Sequence, residues 1–357
     1  MSTKKVRITG PDIVRSLAAL FVVAVHFFYN CGYYDTPMVS KTMFIMTAAR
    51  WLFLTCVPLY MMLTGYFKCN KEPDKAHYMS LIPVLISYII ISVIKVFTGN
   101  HYYGKLYGIK EALQALGNYT IAWYVGFYFS LMAIAPFLNR LWHALKNKKE
   151  KLLLIGSLAV ISSLYPIISL LAVSNLYPVA VIGSVLEIGT PNYWQMLYPL
   201  LYYFLGCYFR EYTPKINKLI PVITIIATVL INSGISYYYA NGGNFLWNIL
   251  GAVDCGYNCI TVVLCSAAIF LLFYDIDLKN SIIKRILQMI SEVSLEIYLF
   301  SAIFDIIFFS YAKARYFAIN DFAKLFFIMV PLNFLCAFIC STVYHYIYSI
   351  IRRAIRK

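Results

Sequence analysis

The chain has 357 residues, of which 61% are hydrophobic, 17% aromatic and only 13% charged. Because an ordinary soluble domain is about 25% charged, this composition excludes a soluble globule and intrinsic disorder, and the length excludes a disulfide-stapled secreted domain. The net charge of +15 would suggest nucleic acid in a soluble protein, but most basic residues lie between apolar runs, so we expect membrane lipids and no nucleic acid as partners.

Apolar runs of about 20 residues are long enough to cross a bilayer as helices. In chain order we predict ten spans, at 13–32, 42–66, 79–98, 120–140, 152–173, 194–209, 217–239, 247–273, 286–310 and 323–350. These runs are too long for barrel strands, and the loops between them are short. The sequence therefore predicts an all-α integral membrane protein with about ten transmembrane helices, forming a single multi-span membrane domain over 1–357 with no soluble domain.

The distribution of basic residues predicts the orientation of these spans. If the N-terminus is cytoplasmic, the cytoplasmic segments hold 22 of the 30 Lys and Arg residues, and the bias recurs at each cytoplasmic loop. Cytoplasmic loops carry this excess in membrane proteins. We therefore expect a multi-pass protein of the cell membrane with both termini cytoplasmic.

The first predicted span carries Asp12, Arg15 and His26. Arg15 and His26 are 11 residues apart, so at about 100° per residue they project from one helix face, about 16 Å apart along the axis. Arg15 alone is typical of an interfacial anchor, and His26 alone of an interhelical hydrogen bond. Together they favour a polar track from the cytoplasm toward the bilayer interior.

Arg50 and Asp254 lie at about the same predicted depth as His26. Ionisable groups at membrane depth are costly, so each needs a partner or a function. A His, an Arg and an Asp at one level form either a structural ion-pair cluster or the lining of an outward-facing site. In such a site the carboxylate would orient the imidazole as a general base.

The ninth predicted span adds a second group of polar residues. Glu296 lies near mid-membrane, and Tyr298, Ser301 and Asp305 follow it toward the outside. We predict His26, Asp254 and Glu296 as catalytic residues. The predicted donor- and substrate-binding residues are Asp12, Arg15, Arg50, Tyr298 and Ser301. No metal site is expected, because the nine cysteines lie mostly inside apolar runs and have no nearby His to complete a ligand set.

Five stretches resemble the membrane-bound acyltransferases of family 3, which O-acylate cell-surface glycans. Residues 12–26 resemble the first-span motif of that family, with an Arg ahead of a His. Residues 50–66, 123–138 and 203–210 resemble its later motifs in the expected order. Residues 294–301 resemble a further motif that ends in His in many members, where this chain has Ser301.

The resemblance implies ten helices and an acyl-coenzyme A donor, with acetyl-coenzyme A as the expected one, bound on the cytoplasmic side. It implies no permanently bound cofactor. The acceptor it implies is a hydroxyl of a surface or capsular polysaccharide, or of its lipid-linked precursor. By position in the motif, Arg15 and His26 become the essential pair, with Arg15 near the donor phosphates and His26 as the base.

Two other classes of function fit the same residues. Polar residues at mid-membrane are equally typical of a transporter or flippase for a small molecule or lipid-linked glycan. A sensor or assembly factor of the envelope is the third class. The sequence does not define the oligomeric state, and a homo-oligomer is compatible with all three classes. Transfer of label from acetyl-coenzyme A would distinguish the enzyme from the other two.

Overall fold

The computed structural model describes residues 8–104, 107–247 and 256–355, and in this part of the chain there is no β-strand. The all-α class predicted from the sequence is confirmed. The helices are α1 Gly10–Asn30, α2 Lys41–Phe53, α3 Cys56–Lys68, α4 Lys75–Met79, α5 Ile82–Tyr103, α6 Ile109–Gly117, α7 Trp123–Ala144, α8 Lys148–Ala172, α9 Tyr177–Gly189, α10 Tyr198–Tyr212, α11 Leu219–Ala240, α12 Ile260–Phe273, α13 Ser281–Glu292, α14 Ser294–Lys313 and α15 Ile319–Ile355.

Seven helical segments of the described chain are long and apolar enough to cross a membrane. They are Gly10–Asn30, Lys41–Lys68, Lys75–Tyr103, Lys148–Ala172, Leu219–Ala240, Ser294–Lys313 and Ile319–Ala354. Each of them overlaps one of the ten predicted spans. The protein therefore has several membrane-spanning helices, as its composition predicts.

The three remaining predicted spans are also helical where the structure describes them. Predicted span 120–140 lies largely in α7, span 194–209 largely in α10, and span 247–273 includes α12. Helix α12 has 14 residues and is shorter than a bilayer requires. The count of ten spans stays a prediction.

The described residues divide into two compact units. The first unit comprises the chain up to Phe21, Tyr33–Asn70 and Arg140–Asp277. The second unit comprises Val22–Gly32, Lys71–Asn139 and the chain from Leu278 onward. The boundary falls within α1, which therefore contributes its first 12 residues to one unit and its last nine to the other.

Helices α3 and α10 of the first unit pack with their backbones in contact. A Cβ atom added at Gly206 would overlap the carbonyl oxygen of Met62, and one added at Gly65 would overlap that of Tyr203. Small residues permit this close approach between helices in a membrane protein. The two glycines therefore hold the C-terminal ends of α3 and α10, with Tyr66 and Arg210, beside each other.

The second predicted span is interrupted, because α2 ends at Phe53 and α3 begins at Cys56. Pro58 has no backbone N–H, so the carbonyl oxygen of Leu54 cannot receive the usual bond from four residues ahead. The predicted span 42–66 lies within the membrane-crossing segment Lys41–Lys68, and the short break between α2 and α3 inside it was not predicted.

In the second unit, α14 packs between α5 and α15. The hydroxyl of Ser87 on α5 donates to Glu296 at one end of α14, and the hydroxyl of Tyr103 donates to the carbonyl oxygen of Ile306 nearer the other end. Asn333 on α15 donates to the carbonyl oxygen of Ser301. Polar contacts of this kind fix the rotation of α14 against its neighbours.

The ninth predicted span, 286–310, begins inside a separate helix. Helix α13 ends at Glu292 and α14 starts at Ser294. Helix α13 is amphipathic, with Lys284 and Arg285 beside exposed Ile282, Ile283, Ile286 and Met289. This pattern is typical of a helix that lies in the membrane interface. The apolar residues before 293 therefore belong to that helix and not to the span.

Candidate functional site

Helix α1 carries the two residues at the centre of the sequence prediction. Arg15 lies in its N-terminal half, within the first unit, and His26 lies in its last two turns, within the second unit. Because the helix is unbroken between them, they share one face as predicted, about 16 Å apart along the axis. Each has its own surroundings within its own unit.

A cavity of about 620 Å³ adjoins the N-terminal end of α1 in the first unit, and we call it the N-terminal cavity. Its lining residues are Ile8, Pro11, Asp12, Tyr66, Phe67, Cys69, Asn70, Trp142, His143, Arg210 and Glu211. Predicted binding residue Asp12 is thus one of the lining residues. The volume lies within the usual range of small-molecule pockets, so the cavity has room for a polar ligand of that size.

Aromatic rings hold two arginines near this cavity. Arg15 does not line it, but its guanidinium carbon lies 4.8 Å from the ring centroid of the lining residue Phe67. Arg210 lines the cavity, and its guanidinium carbon lies 5.1 Å from the ring of Tyr66, whose hydroxyl accepts a 3.4 Å hydrogen bond from Arg210. An aromatic face holds a guanidinium in place, and the planar donor group of an arginine suits phosphate.

Glu211 forms a charged wall of the N-terminal cavity. Its carboxylate accepts hydrogen bonds of 2.7 and 2.8 Å from Lys151 Nζ, and one of 2.7 Å from Trp142 Nε1. Burial alone would raise the pKa of Glu211, but the hydrogen bonds from Lys151 and Trp142 hold it below its ordinary value. The carboxylate therefore stays ionised, and Lys151, the last of the basic residues in the 140–151 segment, is bound to it.

His26 has a carboxylate partner in the second unit. Its Nδ1 lies 3.7 Å from Oδ2 of Asp305 on α14. The other oxygen of Asp305 accepts a 2.8 Å hydrogen bond from Asn333 on α15. We call this arrangement the His26–Asp305–Asn333 chain. The contact of 3.7 Å is an ion-pair distance, and such contacts in catalytic sites often tighten when substrate binds.

A much smaller cavity, of about 30 Å³, lies against His26, and we call it the His26 cavity. Lys95 of α5 and Tyr298 of α14 line it with His26. The Tyr298 ring meets the imidazole edge to face, with 6.1 Å between ring centroids. The ammonium of Lys95 donates a 2.9 Å hydrogen bond to the carbonyl oxygen of Ile121. Predicted binding residue Tyr298 thus lines the same cavity as the predicted base.

Ser301 and Glu296 lie on the same helix as Tyr298 but have different surroundings. The Ser301 hydroxyl donates to the carbonyl oxygen of Tyr298 in its own helix, at 2.9 Å. Glu296 is buried and lines a different cavity, of about 350 Å³, with His345, Arg352 and Arg353. Glu296 precedes Asp305 by nine residues, which is about 14 Å of helix. Its predicted catalytic role stays a prediction.

Arg50 is fully buried in an aromatic enclosure of the first unit. Its guanidinium carbon is 4.5 Å from the ring centroids of both Trp51 and Phe245, and 5.6 Å from that of Trp247. Arg50 Nε also donates to the hydroxyl of Tyr34, at 3.1 Å. Asp254 was predicted to lie at the same membrane depth as Arg50 and His26. It lies outside the described residues, so this shared depth stays a prediction.

The sequence interpretation missed Lys95 and the contact of Asp305 with His26. Lys95 was counted only as a basic residue, although it lies inside the predicted third span, 79–98. Asp305 follows Tyr298 by seven residues, so the two side chains share one face of α14. That spacing, together with the rarity of ionisable residues inside spans, was the signal available in the sequence.

Comparison with known proteins identifies the family of the chain. A family model described as an acyltransferase domain matches residues 8–346, which is nearly the whole chain. No curated protein and no solved structure matched the chain. The match includes α1 with Arg15 and His26, and the helices that line both cavities. The protein is an acyltransferase of the membrane, and the chain belongs to the membrane-bound acyltransferase family 3.

Proposed function

We propose that the protein is an O-acyltransferase that moves an acyl group, acetyl in the simplest case, from acyl-coenzyme A to a sugar hydroxyl of a cell-envelope or exported polysaccharide. The observation that carries this proposal is the position of His26, which lines a cavity while its Nδ1 faces the carboxylate of Asp305. A carboxylate at Nδ1 favours the tautomer in which Nε2 accepts a proton, as a general base must.

In the proposed reaction His26 is the general base. Nε2 takes the proton of the acceptor hydroxyl as its oxygen attacks the thioester carbonyl carbon. When the tetrahedral intermediate collapses, the carbon–sulfur bond breaks and the coenzyme thiolate takes the proton from His26. Between these two proton transfers His26 is an imidazolium. The negative charge of Asp305 beside it lowers the energy of this protonated intermediate state.

The N-terminal cavity is the proposed binding site of the donor. Arg15 and Arg210 supply planar donor groups for phosphate oxygens, and Tyr66 and Phe67 supply aromatic faces beside them. The N-terminal cavity, of about 620 Å³, has room for a nucleotide, whereas the His26 cavity, of about 30 Å³, has room for little more than a water molecule. This difference in volume and charge supports donor binding at the N-terminal cavity.

This function is tested by incubating the purified protein in lipid bilayers with labelled acetyl-coenzyme A and measuring transfer to a polysaccharide, or hydrolysis. We expect wild-type protein to release free coenzyme A. Arg15→Ala and Arg15→Lys should raise the Kd for the donor by about 10-fold or more, because a charged hydrogen bond contributes about 1.5–3 kcal/mol. Lysine keeps the charge but loses the planar pair of donors.

Lys279→Ala is the matched control for Arg15. It removes a basic residue from an exposed segment between α12 and α13, and we expect donor affinity to stay unchanged. Unchanged affinity in Arg15→Ala as well would leave Arg15 as an interfacial anchor. Binding of the donor without any release of coenzyme A by the wild type would favour a transporter or flippase over this enzyme.

We also propose that the chain crosses the membrane ten times and that both termini are cytoplasmic. The support is that the predicted cytoplasmic segments hold 22 of the 30 Lys and Arg residues. In a Cys-depleted background, a membrane-impermeant maleimide should label His101→Cys on intact cells and should not label Arg353→Cys. Both positions are exposed, so the labelling reports on the side of the membrane. Efficient labelling of Arg353→Cys would overturn the span count.

A further inference from the structure

Lys95 is an ionisable residue well inside α5, a helix of 22 residues that is otherwise strongly apolar. It is half-buried, and it follows the start of the helix by 13 residues. A charged side chain at that depth is costly and is seldom retained without a partner or a function. Lys95 does not contribute to the positive-inside bias that orients the spans, because it lies away from the predicted cytoplasmic segments.

The structure holds the ammonium of Lys95 at the edge of the His26 cavity. One of its three N–H donors is used by the carbonyl oxygen of Ile121, just before α7. This bond fixes the direction of the side chain, and Lys95 lines the cavity together with His26. Lys95 also lies within electrostatic range of both His26 and Asp305. A fixed cation therefore adjoins the space in which the proposed base acts.

The charges of this group suit an acyl transfer. In the proposed reaction Lys95 and Asp305 start with opposite charges and His26 starts neutral. When the hydroxyl oxygen adds to the thioester carbonyl, His26 gains a proton and the carbonyl oxygen gains a negative charge. The group then holds two positive and two negative charges, so its net charge stays at zero in a medium of low dielectric constant. Without Lys95 the group would carry a net negative charge both before and after the oxyanion forms.

We propose that Lys95 is a catalytic residue that stabilises the oxyanion of the tetrahedral intermediate in the His26 cavity. The group it binds is the carbonyl oxygen of the acyl thioester, which becomes negative as the new carbon–oxygen bond forms and neutral again as the carbon–sulfur bond breaks. This inference rests on the proposed function and assigns a role in it to a residue for which the sequence motif gives none.

The test separates charge from hydrogen bonding at position 95. Lys95→Gln removes the charge but can still donate to the Ile121 carbonyl, and Lys95→Arg keeps both. We expect kcat of Lys95→Gln to fall by about 10²–10³-fold with little change in KM for acetyl-coenzyme A, because the interaction exists only in the transition state. Lys95→Arg should stay within about tenfold of wild type. Each variant is checked for a monodisperse elution profile and an unchanged thermal midpoint in detergent.

The outcomes distinguish the possible failures. If Lys95→Gln keeps the kcat of the wild type, Lys95 only ties α5 to the segment before α7, and the inference is wrong while the function stands. If Lys95→Arg falls as far as Lys95→Gln, a positive charge is not what matters, which also overturns the inference. A wild-type protein that releases no coenzyme A overturns the proposed function and this inference with it.

Discussion

Replacing His26 with alanine is expected to lower kcat for acyl transfer by about 10²–10⁴-fold, since that is the usual contribution of a positioned general base. A sugar hydroxyl is a weak nucleophile near neutral pH and gains most from such a base. Donor affinity should change little, because the proposed donor site lies at the N-terminal cavity. The measurement is the release of coenzyme A with a polysaccharide acceptor, together with equilibrium binding of acetyl-coenzyme A.

His26→Gln sharpens this test. Glutamine can hydrogen-bond but cannot accept the proton at neutral pH, so its activity should be nearly as low as that of the alanine variant. His101→Ala, at the exposed end of α5, is the matched control and should retain activity. Recovery of most activity in His26→Gln would make His26 a positioning residue. The base would then have to be sought among the other carboxylates, with Glu296 first.

The positions of the helices could be predicted from the sequence because membrane helices are defined locally. Each predicted span overlaps a helix in the described chain, since about 20 apolar residues in lipid have few other ways to satisfy their backbone groups. The breaks were not predicted. Pro58 interrupts a run of mostly apolar residues, and the apolar residues in the second half of α13 directly precede the apolar run of α14 in the sequence.

The candidate site could be predicted only where it lies on one helix. Arg15 and His26 share a face because helix periodicity fixes their relation. The partner of His26 depends on which helix lies beside it, and depth along a span does not contain that information. The contact of His26 with Asp305, which the packing of the second unit produces, was therefore not predicted, and the predicted role of Asp254 stays a prediction. Lys95 was missed because the residues around it are strongly apolar, so the segment was interpreted only as a span.

Asp305 is expected to be a positioning residue whose charge matters more than its hydrogen bond. In Asp305→Asn the side-chain oxygen still accepts from Asn333, so the packing between α14 and α15 is retained while the charge is lost. Two unit charges about 4 Å apart interact by about 4 kcal/mol at an effective dielectric constant of 20, which corresponds to about 10³-fold in rate. With partial solvent access we expect kcat to fall by about 10²–10³-fold.

The pH profile of Asp305→Asn separates this role from a structural one. The carboxylate of Asp305 faces the imidazole on which the proton is held during the reaction, so its loss should change the shape of the kcat profile as well as the rate. The exposed control Asp35→Asn should keep both the rate and the profile of the wild type. A lower rate with an unchanged profile would mean that Asp305 acts through its contact with Asn333 alone, because a disturbed helix contact lowers the rate without changing the proton affinity of the base.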